Sequence, residues 1–334
     1  MHDVASSVNS TPLIKVVDLT TEFRMSSGTI VANDRISLAV GPGKTLGIVG
    51  ESGSGKSVLC RSILQLIPSP PGHIVHGEVW FDGQDLMTWS EKDMQAIRGV
   101  DIGMIFQDPM TTLNPVWRIG DQITESLRVH KGVRGKQARE IGIDLLQQVG
   151  IPSPETRVDE YPHRLSGGMR QRVMIAMAMA CRPKLLLADE PTTALDVTIQ
   201  DQILALMLRL QEEMGMSIIL VSHDMGIVAE TSDQVAVMYA GRVVELASTE
   251  DIFYNPKHPY TVGLLQSIPR IEQQVERLIP IQGQPPDLLQ LPAGCPFAER
   301  CRVASPDCKT TPVSFREVGP NHYTACLYPE RVNA

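Results

Sequence analysis

The sequence predicts an α/β protein with a helical subdomain inserted into its core and a small cysteine-rich extension at its C-terminus. Three observations carry this expectation. A glycine-rich loop, Gly50-Glu51-Ser52-Gly53-Ser54-Gly55-Lys56-Ser57, lies between a short apolar run and an amphipathic one. Apolar runs of strand length alternate with helix-period segments, the pattern of a sheet with a parallel core. After Asn255 proline recurs, and four of the six cysteines fall within 32 residues.

Leu13 to Val40 alternates in the manner of strands that precede the loop. Leu46-Gly47-Ile48-Val49 is short and apolar, suited to a buried strand, and Val58 to Leu66 carries apolar residues at helical spacing. Strand, glycine loop and helix form the setting in which a G-x-x-x-x-G-K-S loop binds phosphate. Glycines tolerate the backbone angles and close approach that wrapping a phosphate demands. The helix start presents free N–H groups and its positive dipole end to the anion. In that setting Lys56 reaches the β- and γ-phosphates and the Ser57 hydroxyl ligates Mg²⁺. The plainer reading, a turn that merely links strand to helix, has the strand–loop–helix context against it.

From about Asp108 to Met179 the chain reads as mostly helical. Met110 to Pro115 looks like a loop ending in a breaker, and Ile141, Leu145, Leu146 and Val149 lie at helical spacing. Val173 to Cys181 is a further apolar helical run. Leu185 to Ala188 forms a buried strand that delivers Asp189 and Glu190 at its end, on opposite sides because strand side chains alternate. Asp189 suits Mg²⁺, which uses few carboxylates and keeps several waters. Glu190 is then available to polarise an attacking water as general base. Without the loop, an ordinary acidic strand end would be the better reading of this pair. Gln202 to Leu210 places Ile203, Leu206, Met207 and Leu210 on one helix face, which reads as core packing. Strands recur at Ser217 to Val221, Gln234 to Met238 and Arg242 to Glu245. Cys60 and Cys181 sit in apolar helical runs and read as buried small hydrophobes.

Asn255 to Tyr260 is a turn-rich junction, followed by a short helix, Pro269, and prolines at 280, 285, 286 and 292. The expected organisation is a core domain over 13–254, with its helical subdomain at about 108–179, and an extension over 255–334 reached through an extended linker. Cys295, Cys301, Cys308 and Cys326 are separated by gaps of five, six and seventeen residues. Disulfides, a structural zinc site and an iron–sulfur centre all use four cysteines, and spacing alone does not choose among them.

The net charge of −8 argues against nucleic acid as the main partner. A hydrophobic fraction of 43% and a charged fraction of 20% are those of an ordinary globular protein. No apolar run approaches the ~20 residues needed to cross a bilayer, and Met1 to Pro12 lacks the pattern of a signal peptide. The expectation is a cytosolic chain whose membrane association comes through partner subunits. The loop occurs once, and there is no internal repeat.

Leu165-Ser166-Gly167-Gly168-Met169-Arg170-Gln171-Arg172 resembles the signature sequence of ATP-binding cassette (ABC) ATPases. Gln107 in Ile105 to Pro109, Ala194-Leu195-Asp196 after the acid pair, and His223, which lies 33 residues beyond Glu190 after the strand at Ser217 to Val221, complete a pattern similar to that family over about residues 13 to 250. The resemblance implies a P-loop ATPase core of the ABC type. It implies that Phe23 stacks on adenine, that Gln107 touches Mg²⁺ and senses a membrane subunit, and that His223 contacts the γ-phosphate. Ser166, Gly167, Gly168 and Gln171 would serve the ATP held by an opposite subunit, and Asp196 would support the dimer seam. Two glycines before a helix suit such a role, because backbone N–H groups can then approach a phosphate.

His258-Pro259-Tyr260-Thr261, Pro285-Pro286-Asp287-Leu288, Gly294-Cys295-Pro296-Phe297 and Arg300-Cys301 resemble the C-terminal extension of oligopeptide and dipeptide permease ATPases. For the four cysteines this implies a [4Fe–4S] cluster of structural purpose, with Zn²⁺ as the alternative. It also implies hydrolysis of ATP to energise peptide import. The partners would be two transmembrane permease subunits, a second homologous ATPase subunit in a heterodimer, and a separate substrate-binding protein, with the chain at the cytoplasmic face of the cell membrane. Other solutes such as nickel complexes, a soluble cassette ATPase acting on ribosomes or DNA, and an iron–sulfur sensor with a vestigial nucleotide site are the competing readings. One cassette, an acidic balance and intact Lys56, Asp189, Glu190 and His223 stand against the last two.

Overall fold

A computed structural model describes residues 11–193, 195–267 and 280–332, so Ala194 and Pro269 lie outside the described residues. The chain divides into two compact units, one built from the chain up to Thr88 together with Leu220 onward, the other from Trp89 to Ile219.

The first unit begins with the long strands β1 (Ile14–Met25) and β2 (Gly28–Val40). Both mix buried with partly buried positions, exposed mainly near the hairpin end, and pair antiparallel, Ile14 opposite Val40. Strand β3 (Thr45–Val49) is buried at every residue, as expected for a parallel-sheet strand covered on both faces. Helix α1 (Lys56–Ile63) follows the glycine loop. Strand β4 (Gly72–Phe81) pairs antiparallel with β1, and β5 (Gln84–Asp85) closes that sheet in the order β2-β1-β4-β5.

The second unit runs through α2 (Glu91–Ile97), β6 (Ile102–Ile105), α3 (Pro109–Thr112), α4 (Ile119–Ile123), α5 (Glu125–Lys131), α6 (Gly135–Gln148), α7 (Pro154–Arg157), α8 (Gly167–Met179), β7 (Leu185–Asp189) and α9 (Val197–Met214). Strands β6 and β7 pair in parallel. The helical stretch expected from the sequence is present, with one local difference. The segment read as a loop at Met110 begins with a helical turn, because Pro109 occupies its first position and the Asp108 carboxylate accepts from Met110 N at 2.7 Å. In α9 the stripe Ile203, Leu206, Met207 and Leu210 is buried, as the periodicity requires.

Strand β8 (Ser217–Ser222) carries the chain back to the first unit, where α10 (Met225–Thr231), β9 (Gln234–Tyr239), β10 (Arg242–Ser248), α11 (Thr249–Tyr254), α12 (Pro259–Gln266), β11 (Arg316–Gly319) and β12 (His322–Thr324) follow. Strand β9 pairs in parallel with β3, and β10 pairs antiparallel with β9.

The extension is joined to the strands of the first unit. Strand β12 pairs directly with β10, Glu245 opposite Thr324, and β11 pairs with β12. Phe297 lies in one buried cluster with Val49, Val237, Tyr239 and Tyr260. The rings of Tyr239, Tyr260 and Phe297 pack in tilted and edge-to-face arrangements with centroids 4.6 to 5.3 Å apart. The proline-rich segment therefore shares a core with the strand that leads into the glycine loop.

Candidate nucleotide site and its C-terminal support

The loop is wound around its lysine. Lys56 is almost wholly buried, and its Nζ donates to the Gly50 carbonyl at 2.8 Å and the Glu51 carbonyl at 3.0 Å. Gly50 has φ of 155°, and a Cβ there would lie 2.2 Å from the Met238 carbonyl oxygen, so only glycine fits. Gly55 caps α1, its carbonyl accepting from Asn33 Nδ2 at 3.0 Å. Ser57 stands in the first turn of α1, beside the helix start that favours anions. Phe23, half-buried near the end of β1, packs against Gly72.

Glu51 is held from outside the loop. The Tyr260 hydroxyl accepts from Glu51 N at 2.8 Å, and Arg300 grips the Glu51 carboxylate with two bonds of 2.7 and 2.8 Å. Arg300 also donates to the Tyr239 hydroxyl at 3.2 Å and to the Gln282 carbonyl at 3.0 Å. The fork geometry and the adjacent carboxylate raise the guanidinium pKa above its ordinary value. His223, at the exposed end of β8, is followed by Asp224, whose carboxylate caps α10 by accepting from Gly226 N at 2.7 Å.

In the second unit Asp189 is fully buried at the end of β7. Glu190 follows with φ of 48°, a conformation that a residue with a side chain adopts at some cost and that recurs at functional sites. Its Oε2 accepts from Gln107 Nε2 and from Thr193 Oγ1, each at 2.9 Å. Asp189 is thus buried, while Glu190 is held by two side-chain donors. Ser166 is the N-cap of α8, accepting from Met169 N at 3.3 Å, with Gly167 exposed beside it. Gln171, one turn further, points into the packed side of the helix and is 2% exposed. Asp196 caps α9 by accepting from Ile199 N at 3.0 Å.

The four extension cysteines are free thiols that line one recess with Phe297, Leu327 and Tyr328. Each sulfur receives a backbone N–H. Phe297 and Ala298 serve Cys295, Val303 serves Cys301, Tyr328 serves Cys326, and Ser305 N reaches Cys308 Sγ at 3.5 Å. Burial pushes the Cys295 and Cys326 thiols up to about 11 and raises Cys301 as well. N–H groups converging on buried sulfur suit thiolates whose charge a cationic centre offsets. Among the described residues, no three His, Cys, Asp or Glu side chains gather tightly enough to hold a single metal ion.

A second buried cluster fastens the extension. Glu245, inaccessible on β10, accepts from Lys257 N at 2.5 Å, His258 N at 2.9 Å and Thr261 Oγ1 at 2.5 Å, and lies 2.8 Å from His322 Nε2. Burial holds the His258 imidazole at a pKa of about 3, so it is neutral and its Nδ1 accepts from Tyr260 N. Sequence reading assigns no role to Glu245, His322, Arg300 or Tyr260. The contacts of Glu51 with Tyr260 and Arg300 span 209 and 249 residues, and no local pattern announces them.

A family model described as ABC transporter matches residues 33–193, and one described as the oligopeptide/dipeptide transporter C-terminal region matches residues 244–308. The chain is 52% identical over 327 residues to the oligopeptide transport ATP-binding protein OppD of Bacillus subtilis, covering 97% of this chain and 91% of that protein. It is 48% identical to the dipeptide transport ATP-binding protein DppD of Escherichia coli, covering 95% and 97%. Among solved structures, the ATP-binding cassette MJ0796, dimeric and bound to ADP and Pi, matches with a TM-score of 0.64 at 27% identity, covering 71% of this chain and 98% of that one. CbiO1 of Clostridium perfringens, part of an ABC transporter complex, matches with a TM-score of 0.62 at 29% identity, covering 76% and 95%.

Proposed function

The chain belongs to the family of ATP-binding proteins of oligopeptide and dipeptide ABC transporters, and from that premise we propose how its residues drive peptide import. The observation that carries the reading is the loop closed around Lys56, a preformed cradle of backbone groups with a buried ammonium at its centre. Lys56 and the N–H groups of Gly53 to Ser57 hold the phosphates of ATP. The Ser57 hydroxyl and Asp189 offer the hard oxygen donors that Mg²⁺ takes. Gln107 and Thr193 fix the Glu190 carboxylate, which takes a proton from the attacking water. His223 steadies the γ-phosphate and Phe23 the adenine. Catalysis rests on positioning and charge stabilisation.

Ser166, Gly167, Gly168 and Gln171 serve the nucleotide of a second, homologous ATPase subunit, with Asp196 at the seam. Two permease subunits span the membrane at whose cytoplasmic face this chain works, and a separate binding protein delivers the peptide. No described helix is long and apolar enough to cross a membrane, which agrees with attachment through partners. Glu190→Gln in the assembled transporter is expected to retain ATP and to lower turnover by about 10²–10⁴-fold, the usual contribution of a general base. Turnover close to that of the unaltered protein removes Glu190 from that role.

The four cysteines would hold a [4Fe–4S] centre, with Zn²⁺ as the alternative. What supports a shared centre is that all four thiols line one recess. Such a cluster, when bound, supplies cross-linking between segments that have little core of their own. Iron and sulfide analysis of anaerobically purified protein is expected to give about four of each per chain. Zinc without iron defeats the assignment.

A further inference from the structure

We propose that Arg300 and Tyr260 are positioning residues of the phosphate-binding loop, acting through Glu51, so that the C-terminal extension sets the affinity for ATP. The inference rests on the reading of Gly50 to Ser57 as the ATP site.

Glu51 is the one acid in that loop, placed directly after Gly50. A carboxylate beside a site for a polyanion repels its ligand unless a cation neutralises it. Arg300 does so with a bidentate pair, and its side chain is only 6% exposed where that of Glu51 is 27% exposed. A partly buried, fork-shaped pair is oriented and resists screening better than an exposed lysine contact. The guanidinium is fixed in turn by the Tyr239 hydroxyl and the Gln282 carbonyl, and it lies 5.7 and 5.8 Å from the ring centroids of Tyr239 and Phe297. Arg300 is therefore a rigid prop, anchored between the cysteine unit and the shared aromatic core.

Tyr260 grips the same residue by its main chain. Its ring is fully buried against Tyr239 and Phe297, and its hydroxyl takes the Glu51 N–H at 2.8 Å. Side chain and backbone of Glu51 are thus both fixed by the extension. Glu51 also supplies one of the two carbonyls that receive Lys56 Nζ. The path from extension to lysine is Arg300 and Tyr260, then Glu51, then Lys56, each step a hydrogen bond. Loss of the prop frees an uncompensated carboxylate at the loop and releases the carbonyl that orients the ammonium.

The test is a direct titration of the full-length chain, purified anaerobically, with Mg-ATP, for the unaltered protein and for Arg300→Met, Arg300→Lys, Glu51→Gln, Tyr260→Phe and the double variant Glu51→Gln with Arg300→Met. Arg300→Met is expected to weaken binding about tenfold, the scale of one lost charge-assisted pair. Arg300→Lys recovers part of that loss. Glu51→Gln removes the repelling charge along with the anchored carboxylate, so it weakens binding by no more than about threefold, and the double variant matches Glu51→Gln instead of adding to Arg300→Met. Tyr260→Phe weakens binding by about threefold. A role confined to packing predicts the opposite for the double variant, since the lost packing persists in it. Additive losses, or unchanged affinity in folded Arg300→Lys, Glu51→Gln and Tyr260→Phe, overturn the proposal. If Arg300→Met does not fold, the Glu51→Gln and Tyr260→Phe titrations decide it by the same criterion. Failure of the unaltered protein to bind ATP sinks the ATP site itself, and this proposal with it.

Discussion

The glycine loop and the cysteine extension are built on opposite plans. In the loop the residues that act are neighbours in sequence. Gly50, Glu51 and Ser54 supply oxygens to Lys56, all within one strand–loop–helix passage. In the extension the contacts that tie it to the loop and to β10 are remote. Arg300 meets Glu51, Tyr260 meets Glu51 N–H, and His322 meets Glu245 across 77 residues. A local site announces itself by spacing. A non-local one depends on the surrounding fold, and its residues look ordinary in isolation.

The largest expected effect that sharpens this contrast comes from Glu245. Its carboxylate answers four donors brought from Lys257, His258, Thr261 and His322, and it faces Thr324 across the β10–β12 pair. Removing one partner of a buried charged cluster costs about 3–5 kcal/mol, because the remaining groups keep their desolvation penalty. Glu245→Ala is therefore expected to lower the unfolding free energy by about 3–5 kcal/mol, with amide exchange accelerated first in β12 and α12. Glu245→Gln keeps an acceptor and should cost about half as much. A melting curve unchanged by Glu245→Ala, with protection of β12 intact, breaks the view that this cluster fastens the extension.

How far each region was legible follows from the same difference. Leu46 to Val49 and the glycine loop announced β3, the loop and α1, because burial, glycine geometry and helix start are written in consecutive residues. The stripe in α9 and the acid pair after β7 were legible for the same reason. The contact of Glu190 with Gln107 was not, since it joins residues 83 apart. In the extension, composition showed a change of character and pointed to a linker into a small C-terminal unit. It gave no hint that β12 would join β10, because Tyr323 and Thr324 are too short a run to read as a strand. Phe297 stood out only as part of the motif Gly294-Cys295-Pro296-Phe297. Its place beside Tyr239 and Tyr260 depends on a core assembled from three distant segments.

Lys56 tests the other side of the comparison and should leave stability nearly untouched. The ammonium is buried, so its removal relieves a desolvation cost while withdrawing bonds from the Gly50 and Glu51 carbonyls. These two effects oppose each other, and the loop remains anchored by Asn33, Tyr260 and Arg300. Lys56→Ala is expected to move the unfolding free energy by less than about 1 kcal/mol. Its affinity for Mg-ATP should fall about a hundredfold, roughly 3 kcal/mol, since a charged donor to two phosphate oxygens is lost. Calorimetric melting and direct titration on one preparation separate the two quantities. A large loss of stability places Lys56 among the structural props, alongside Glu245. Unaltered affinity removes the loop as the nucleotide site, whatever the melt shows. Lost binding in an intact fold is the signature of a site whose chemistry is local, carried on a frame that the distant extension helps to hold.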